Sequence, residues 1–225
     1  MYVTSPVSIF KSTVVPVSVG VESAAQSQIA RYAAGHPLFF EGDDAEYVYE
    51  IVEGVVRTSK ILFDGRRQVL SFGYPGDVVG LSHDRHYHCD CEAVSKVKLR
   101  VHKKNASSTS FERDPSFCNE LLRYAASEVN NMQEHFIMLG RKSAMEKVAS
   151  FLASLMGRVG VINDQRICFD IPMPRSDIAD FLGLSHETVS RTLTRLRLDG
   201  VIQLPKKHRV CVCRPSALKA LAEKE

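Results

Sequence analysis

The chain has 225 residues, of which 44% are hydrophobic and 24% charged, with six cysteines, no tryptophan and a formal charge of +3. This hydrophobic share excludes a disordered or fibrous chain, and no run approaches the ~18 apolar residues of a membrane span, so we expect no membrane partner. Residues 1–20 lack the charged head and apolar run of a signal peptide, which predicts a cytoplasmic protein. In that reducing compartment six cysteines are not expected to form a disulfide framework.

The charge is divided unevenly along the chain. Residues 1–140 hold 14 Lys and Arg against 17 Asp and Glu, whereas residues 141–225 hold 15 against 9. An acidic first part and a basic last part indicate that the C-terminal region binds a polyanion. The alternative is a chance imbalance, since the difference is modest.

The first half of the chain has the pattern of a small β domain. Residues 1–28 show no clear period, which predicts a flexible arm. Residues 47–57 are rich in β-branched and aromatic side chains and are interrupted by Gly54, and residues 68–72 lie between Gly and Asp turn signals. Several short strands at close spacing predict an antiparallel roll over residues 29–114.

Residues 115–140 have the pattern of a dimerisation helix. Apolar residues recur there at alternating spacings of four and three, which is typical of two helices packed along a seam. The alternative is a single amphipathic helix packed on its own domain. The predicted seam consists of Cys118, Leu122, Ala125, Val129, Met132, Phe136 and Leu139.

The last segment, residues 141–225, contains the spacing of a helix-turn-helix. Gly183 can adopt the positive φ that ends a first helix, and Ser185 is a good N-cap for a second helix. A small residue at Ala179 lets the two helices cross closely. The predicted buried faces are Ile178, Ala179 and Leu182 in the first helix, and Val189, Leu193 and Leu196 in the second.

The exposed start of the second helix carries side chains suited to base edges. Glu187 can accept a hydrogen bond from cytosine, Arg191 can bind guanine, and Ser190 can serve either role. We therefore predict that these three residues read bases.

Further side chains of this segment are predicted to contact the DNA backbone. Residues 201–204 and 210–213 read as two strands joined by a basic tip, as in a winged helix. The alternative is a small helical bundle with a solvated basic face. The predicted backbone contacts are Ser185, Thr188, Arg195, Lys206, Lys207 and Arg209, with Thr192, Thr194 and Arg197 as further candidates.

The order of roll, long helix and winged helix-turn-helix resembles that of the Crp/Fnr transcription regulators. The string Glu-Thr-Val-Ser-Arg at residues 187–191 also resembles the recognition helix of this family. The string Leu-Gly-Arg-Lys at residues 139–142 further resembles the FixK-like branch. The resemblance implies an α+β fold with a cyclic-nucleotide-binding-like roll. It also implies a homodimer that reads a TTGA-type palindrome and recruits RNA polymerase, often at genes for low-oxygen respiration or nitrogen fixation. Pro174 departs from the usual Ser/Thr cap of the first helix, which predicts a small stability cost.

The same resemblance implies which effectors the roll could bind. Cyclic AMP requires a glutamate and an Arg-Ser/Thr pair that residues 78–85 lack, and no cysteine precedes Cys89 to hold an iron–sulfur cluster. We therefore expect DNA binding without a cofactor. Residues 83–91 hold three histidines and two cysteines, and are interpreted either as a plain strand with small buried thiols or as a metal, haem or redox site. The candidate ligands for such a site are His86, His88, Cys89 and Cys91.

Other function classes find little support in the sequence. It shows no glycine-rich phosphate loop, nucleophile elbow or paired catalytic carboxylates, so we do not expect an enzyme. A module that binds only proteins remains a different interpretation, and it predicts no salt-dependent binding to duplex DNA.

Overall fold

The computed structural model describes residues 27–104, 115–163 and 166–223. The predicted N-terminal arm therefore lies almost wholly outside the described residues. The chain divides into two compact units whose boundary falls between Tyr124 and Ala125, inside helix α1 (Pro115–Arg141). Among the helices described, none combines the length and apolar character needed to cross a membrane.

The first unit is built from two four-stranded antiparallel sheets, which confirms the predicted roll and the α+β fold class. Short strands and tight turns allow the chain to pass repeatedly between the two sheets. In spatial order, the first sheet contains β1 (Ser27–Tyr32), β8 (Val97–Lys103), β3 (Tyr47–Glu53) and β6 (Val78–Val79), and the second contains β2 (Pro37–Phe39), β7 (Asp90–Ala93), β4 (Val56–Ile61) and β5 (Arg67–Gly73).

Side chains from both sheets fill the interior of the roll. Ile51 and Leu99 from the first sheet and Val56 from the second are at most 1% exposed. Beside them the ring of Phe39 stacks on that of Tyr87, with 3.8 Å between ring centroids. Alternate residues of each strand point inward, so the period of two in the sequence places these side chains in one core.

Residues 83–89 are not the strand that the sequence predicted. β7 begins only at Asp90, and before it His86 forms a single isolated bridge with Asp44. The hydroxyl of Ser82 accepts a hydrogen bond from the Asp84 amide at 3.2 Å and donates one to the His86 carbonyl at 2.8 Å. These local bonds occupy backbone groups that would pair with a neighbouring strand in a β-sheet. The segment therefore forms an irregular loop.

The second unit surrounds helix α2 (Ala144–Val159) with helices and a small sheet. Ser143 and Glu146 cap this helix reciprocally, and it continues through Gly157 until Gly160 ends it. α2 packs against the C-terminal helix α5 (Pro215–Ala222) and against helix α4 (His186–Leu198). The remaining elements are α3 (Arg175–Leu182) and an antiparallel sheet in the order β11 (Ile202–Lys206), β12 (Arg209–Val212), β10 (Arg166–Asp170) and β9 (Val161–Asn163).

The cysteines of this sheet differ from the prediction. No disulfide framework was expected in a cytoplasmic chain. Instead a disulfide joins Cys211 to Cys168, the residue directly opposite it in the β10–β12 ladder, and Cys213 is half-buried. The 43 residues that separate the two cysteines explain why spacing did not reveal the pair.

We expect Gly54→Ala to destabilise the roll far more than Gly65→Ala. Both glycines have a positive φ near 85°, which costs a residue with a Cβ roughly 1–2 kcal/mol. A Cβ at Gly54 would also overlap the carbonyl oxygen of Lys96 and approach Val97 Cγ1 to 2.8 Å, whereas one at Gly65 meets nothing. Gly54→Ala should therefore cost at least about 3 kcal/mol. Equal losses of unfolding free energy in urea titrations would contradict this account.

Candidate nucleic-acid interface

The helix-turn-helix is set by the turn between α3 and α4. Pro174 precedes α3 without a side-chain cap, as its lack of a hydroxyl predicts. At the other end Gly183 adopts φ 60°, and its amide and that of Leu184 both donate to the carbonyl of Ala179. A left-handed glycine satisfies the free carbonyl and reverses the chain within two residues, which delivers Ser185 to the start of α4.

α4 is fixed by its cap and by its inner face. The Ser185 hydroxyl accepts from the Thr188 amide at 3.1 Å and lies 2.9 Å from the Thr188 hydroxyl. Val189, Leu193 and Leu196 are at most 3% exposed, as their spacing predicted. The buried face holds the helix against the domain, so its opposite face and its positively polarised N-terminus are presented to solvent.

The three predicted base readers share that outer face. Glu187 and Arg191 are exposed and Ser190 is half-buried, at helical spacings of three and four residues. The guanidinium Nη2 of Arg191 lies 3.5 Å from the hydroxyl of Thr188, which steadies it without neutralising its charge. The shallow surface around them is lined by Ser190, Arg191, Thr194, Arg195 and Leu198.

The predicted backbone contacts on α4 are in different situations. Thr192 is only 8% exposed and donates to the Thr188 carbonyl at 2.8 Å, so its prediction as a phosphate contact is wrong. The prediction failed because Thr192 lies on the border of the buried face, and the helical period alone does not show on which side of that border a residue falls. Arg195 is exposed and pairs with Asp199 at 2.9 Å, while Thr194 donates to the Ser190 carbonyl. Arg197 is exposed.

The wing is a hairpin with a two-residue turn, Lys207 and His208. Lys206 and Lys207 are exposed, whereas Arg209 Nη1 lies 3.5 Å from the carboxylate of Asp170. The carbonyl of His208 accepts from the Ile171 amide at 2.7 Å, which fastens the tip to the end of β10. The wing thus presents two lysines and one partly neutralised arginine beside α4.

Comparisons with known proteins agree with this architecture. A family described as the Crp-like helix-turn-helix domain matches residues 146–221, and the cyclic nucleotide-binding domain matches residues 29–113. The nitrogen fixation regulation protein FixK of Azorhizobium caulinodans is 42% identical over 89% of this chain and 84% of its own length. The chain belongs to the FixK-like branch of the Crp/Fnr transcription regulators.

Two further relatives support that assignment. The transcriptional activator protein FnrL of Cereibacter sphaeroides is 32% identical over 80% of this chain and 75% of its own. The structure of FixK2 from Bradyrhizobium japonicum is 34% identical and superposes with a TM-score of 0.80, covering 87% of this chain and 96% of that one. The winged helix-turn-helix of this Crp/Fnr regulator is accordingly its DNA-binding domain.

The candidate metal ligands of this Crp/Fnr regulator do not converge. His86 and His88 are exposed and approach Asp44 and Asp84 respectively, at 3.6 and 2.8 Å. Within the described ranges, no three His, Cys, Asp or Glu side chains are grouped so that they could hold a metal ion.

The two cysteines of the same segment face the hydrophobic core of the roll. Cys91 is 1% exposed and Cys89 is half-buried. Burial raises the pKa of both thiols, and nearby acidic charges add to the effect at Cys89. Because the thiolate is the reactive form, a raised pKa makes both thiols slow to oxidise near neutral pH.

The predicted seam forms an apolar surface on α1. Val129, Met132 and Phe136 are 52%, 68% and 78% exposed, and Leu139 is half-buried. Ile137, which the heptad spacing did not include, is 55% exposed beside them. The side chains of Cys118, Leu122 and Ala125 lie outside the described residues.

A contact between α1 and the helix-turn-helix was missed by the sequence reasoning. The Nε2 atom of His135 lies 2.9 Å from the carbonyl of Phe181 in α3, and the two rings stack 4.1 Å apart. Because a carbonyl only accepts, Nε2 must carry the hydrogen. Nearby, Cδ2 of Leu139 lies 3.4 Å from the position that a Cβ on Gly183 would occupy, so this side chain lies beside the turn. The end of α1 therefore packs directly on the first helix and turn of the DNA-binding motif.

Two cations that join distant parts of the domain were also missed. Lys142 Nζ donates to the Ser150 hydroxyl and to the Ala222 carbonyl, both at 2.8 Å, and so ties the end of α1 to α2 and α5. Arg214 donates to the carbonyls of Asp199 and Gly200 at the end of α4. Their partners are 8 to 80 residues away along the chain, and no local spacing signals them.

We expect the stability contributed by His135 to be lost in acid. Burial lowers the pKa of His135 below its ordinary value of 6.5, and the charge of Lys147 adds to this. As pH falls below 6.5 the unfolded chain therefore takes up the proton first, which favours unfolding. The unfolding free energy of the wild type relative to His135→Gln should decrease from about pH 7.5 to about pH 5.5. His83→Gln, which changes an exposed histidine, serves as the control variant and is measured over the same pH range.

Proposed function

We propose that this FixK-like regulator is an activator that binds a TTGA-type palindrome as a homodimer through Glu187, Ser190 and Arg191. The observation that carries the proposal is that these three side chains share the outer face of α4. The opposite face is buried through Val189, Leu193 and Leu196. Carboxylate, hydroxyl and guanidinium groups at the start of such a helix match the donors and acceptors of the major groove.

The remaining basic side chains around α4 suit phosphates. Lys206 and Lys207 at the wing and Arg195 on α4 are exposed, and Ser185 and Thr188 place hydroxyls at the positive end of the helix. Arg209 is a weaker candidate because it already lies near Asp170. Contacts of this kind position the protein and make its affinity depend on salt.

The exposed apolar stripe of α1 supports the homodimer. Three large side chains, Val129, Met132 and Phe136, lie in water on an isolated chain. Pairing the stripe with its copy removes them from water and gives two recognition helices related by a two-fold axis. Two such helices read two inverted half-sites, which makes the palindrome the matching DNA.

The roll supports binding that needs no cyclic nucleotide. Phe39 and Tyr87 stack inside it, and the Tyr87 hydroxyl donates to the Tyr47 carbonyl at 2.7 Å. In the loop that follows β6, Arg85 pairs with Asp44, and no glutamate is present to hold a ribose. We infer that the folded roll is competent without ligand and that the dimer recruits RNA polymerase. The names of its FixK relatives suggest genes of nitrogen fixation as targets, and the resemblance to the Crp/Fnr family implies genes of low-oxygen metabolism.

Arg191→Ala should weaken binding to the preferred palindrome by about 1–3 kcal/mol and relax specificity at one guanine. Lys207→Ala is the matched control, because a phosphate contact should weaken the palindrome and a scrambled duplex about equally. Dissociation constants on the two duplexes, measured by fluorescence anisotropy at one fixed salt concentration, separate these outcomes. If Arg191→Ala weakened both duplexes equally, Arg191 would not be a base reader.

Phe136→Glu should convert the dimer to a monomer. It removes an aromatic ring from the seam and places a charge there, so the dimer dissociation constant should rise at least about tenfold. Asn130→Glu adds the same charge at an exposed position outside the stripe and should leave the dimer intact. Sedimentation equilibrium measures both. A dimer that survives Phe136→Glu would place the interface elsewhere.

A further inference from the structure

Cys168 and Cys211 occupy a position that favours reaction with each other. They are directly opposed residues of two antiparallel strands, β10 and β12, with their Cα atoms 4.1 Å apart. Both side chains are buried, at 4% and 8% exposure. Opposed side chains of such a pair project from the same face of the sheet, so the two sulfur atoms are held together by the fold before any bond forms.

The pair lies in the part of the sheet that connects the wing to the body of the domain. β12 lies between the other wing strand, β11, and β10. Beyond Cys168 the same two strands are held by the bond between Ile171 and His208 and by the ion pair of Asp170 with Arg209. These contacts lie at the wing tip and involve neither cysteine.

We propose that Cys168 and Cys211 form a reversible disulfide that makes the stability of the DNA-binding domain respond to its redox environment, while leaving the DNA-reading surface in place. The oxidant is a peroxide. One thiolate attacks a peroxide oxygen, the O–O bond breaks, and a sulfenic acid and water form. The second thiol then attacks that sulfur, the S–S bond forms and a second water leaves, so two thiols lose two electrons and two protons. A low-molecular-weight dithiol reverses the reaction by exchange.

The position of the bond sets its expected effect. It closes a loop between residues 43 apart that contains the whole helix-turn-helix, so it restricts the unfolded domain strongly. The base readers on α4 and the lysines of the wing lie on other parts of the domain surface, and the wing tip keeps its own bonds to β10. Oxidation should therefore raise the melting temperature and change operator affinity little. Because both sulfurs are buried, their reaction should be slow and should follow opening of the sheet.

The experiment compares the full-length protein after treatment with dithiothreitol or with hydrogen peroxide followed by removal of the excess. Alkylation under denaturing conditions and peptide mass spectrometry identify which cysteines are bonded. Thermal unfolding then measures stability, and the expected rise on oxidation is about 10 °C. Cys168→Ser should abolish this rise, whereas Cys213→Ser, which changes the half-buried cysteine next to the pair, should retain it.

The wild-type comparison keeps the proposal falsifiable even if Cys168→Ser folds poorly. A Cys168–Cys211 peptide in the oxidised sample, with a higher melting temperature and a less than twofold change in operator affinity, supports it. Complete alkylation of both cysteines after peroxide, or an unchanged melting temperature, overturns it. A large loss of operator affinity on formation of this disulfide would overturn the assignment to stability alone. Binding of wild-type reduced protein to the palindrome tests the proposed function separately.

Discussion

The outer face of α4, which carries the predicted base readers, depends on the burial of the opposite face of the helix. Val189, Leu193 and Leu196 are removed from water together, and burying side chains of this size contributes roughly 1.5–3 kcal/mol each. This anchoring leaves the helix one orientation, in which Glu187 and Arg191 face outward. The left-handed Gly183 and the Ser185 cap set where the helix begins, so the chemistry offered to a base edge follows from packing on the opposite side.

Within the same unit, the end of α1 packs against the helix-turn-helix. α1 contributes His135 and Leu139 to the surface of the helix-turn-helix, and Lys142 fastens its end to α2 and α5. An exposed apolar stripe and a contact to the DNA-binding motif thus lie on one helix. Dimerisation through the stripe would fix both copies of the motif through the same rigid element, without a long flexible linker.

The sequence predicted those structural features that are set by residues close together in the chain. The strands of the roll, the seam stripe and both helices of the DNA-binding motif have local periods and turn residues, and their existence was predicted. The outer face of α4 was predicted for the same reason, because a helix with a known inner face has a known outer one. The prediction that Thr192 contacts a phosphate was wrong, because its side chain lies at the border of the two faces, where neighbouring elements decide whether it is buried.

The sequence by itself determined the class of fold, the order of the two units and the helical face on which Glu187, Ser190 and Arg191 lie, because these follow from hydrophobic period, caps and the resemblance to one family. The tertiary structure alone decided that residues 83–89 form a loop, that His135 bonds to Phe181, and that Cys168 faces Cys211. The loop depends on hydrogen bonds of Ser82 that compete with a strand ladder, whereas the other two features depend on partners more than 40 residues away in the chain. No local pattern encodes those distant contacts, since they exist only after the strands and helices have packed.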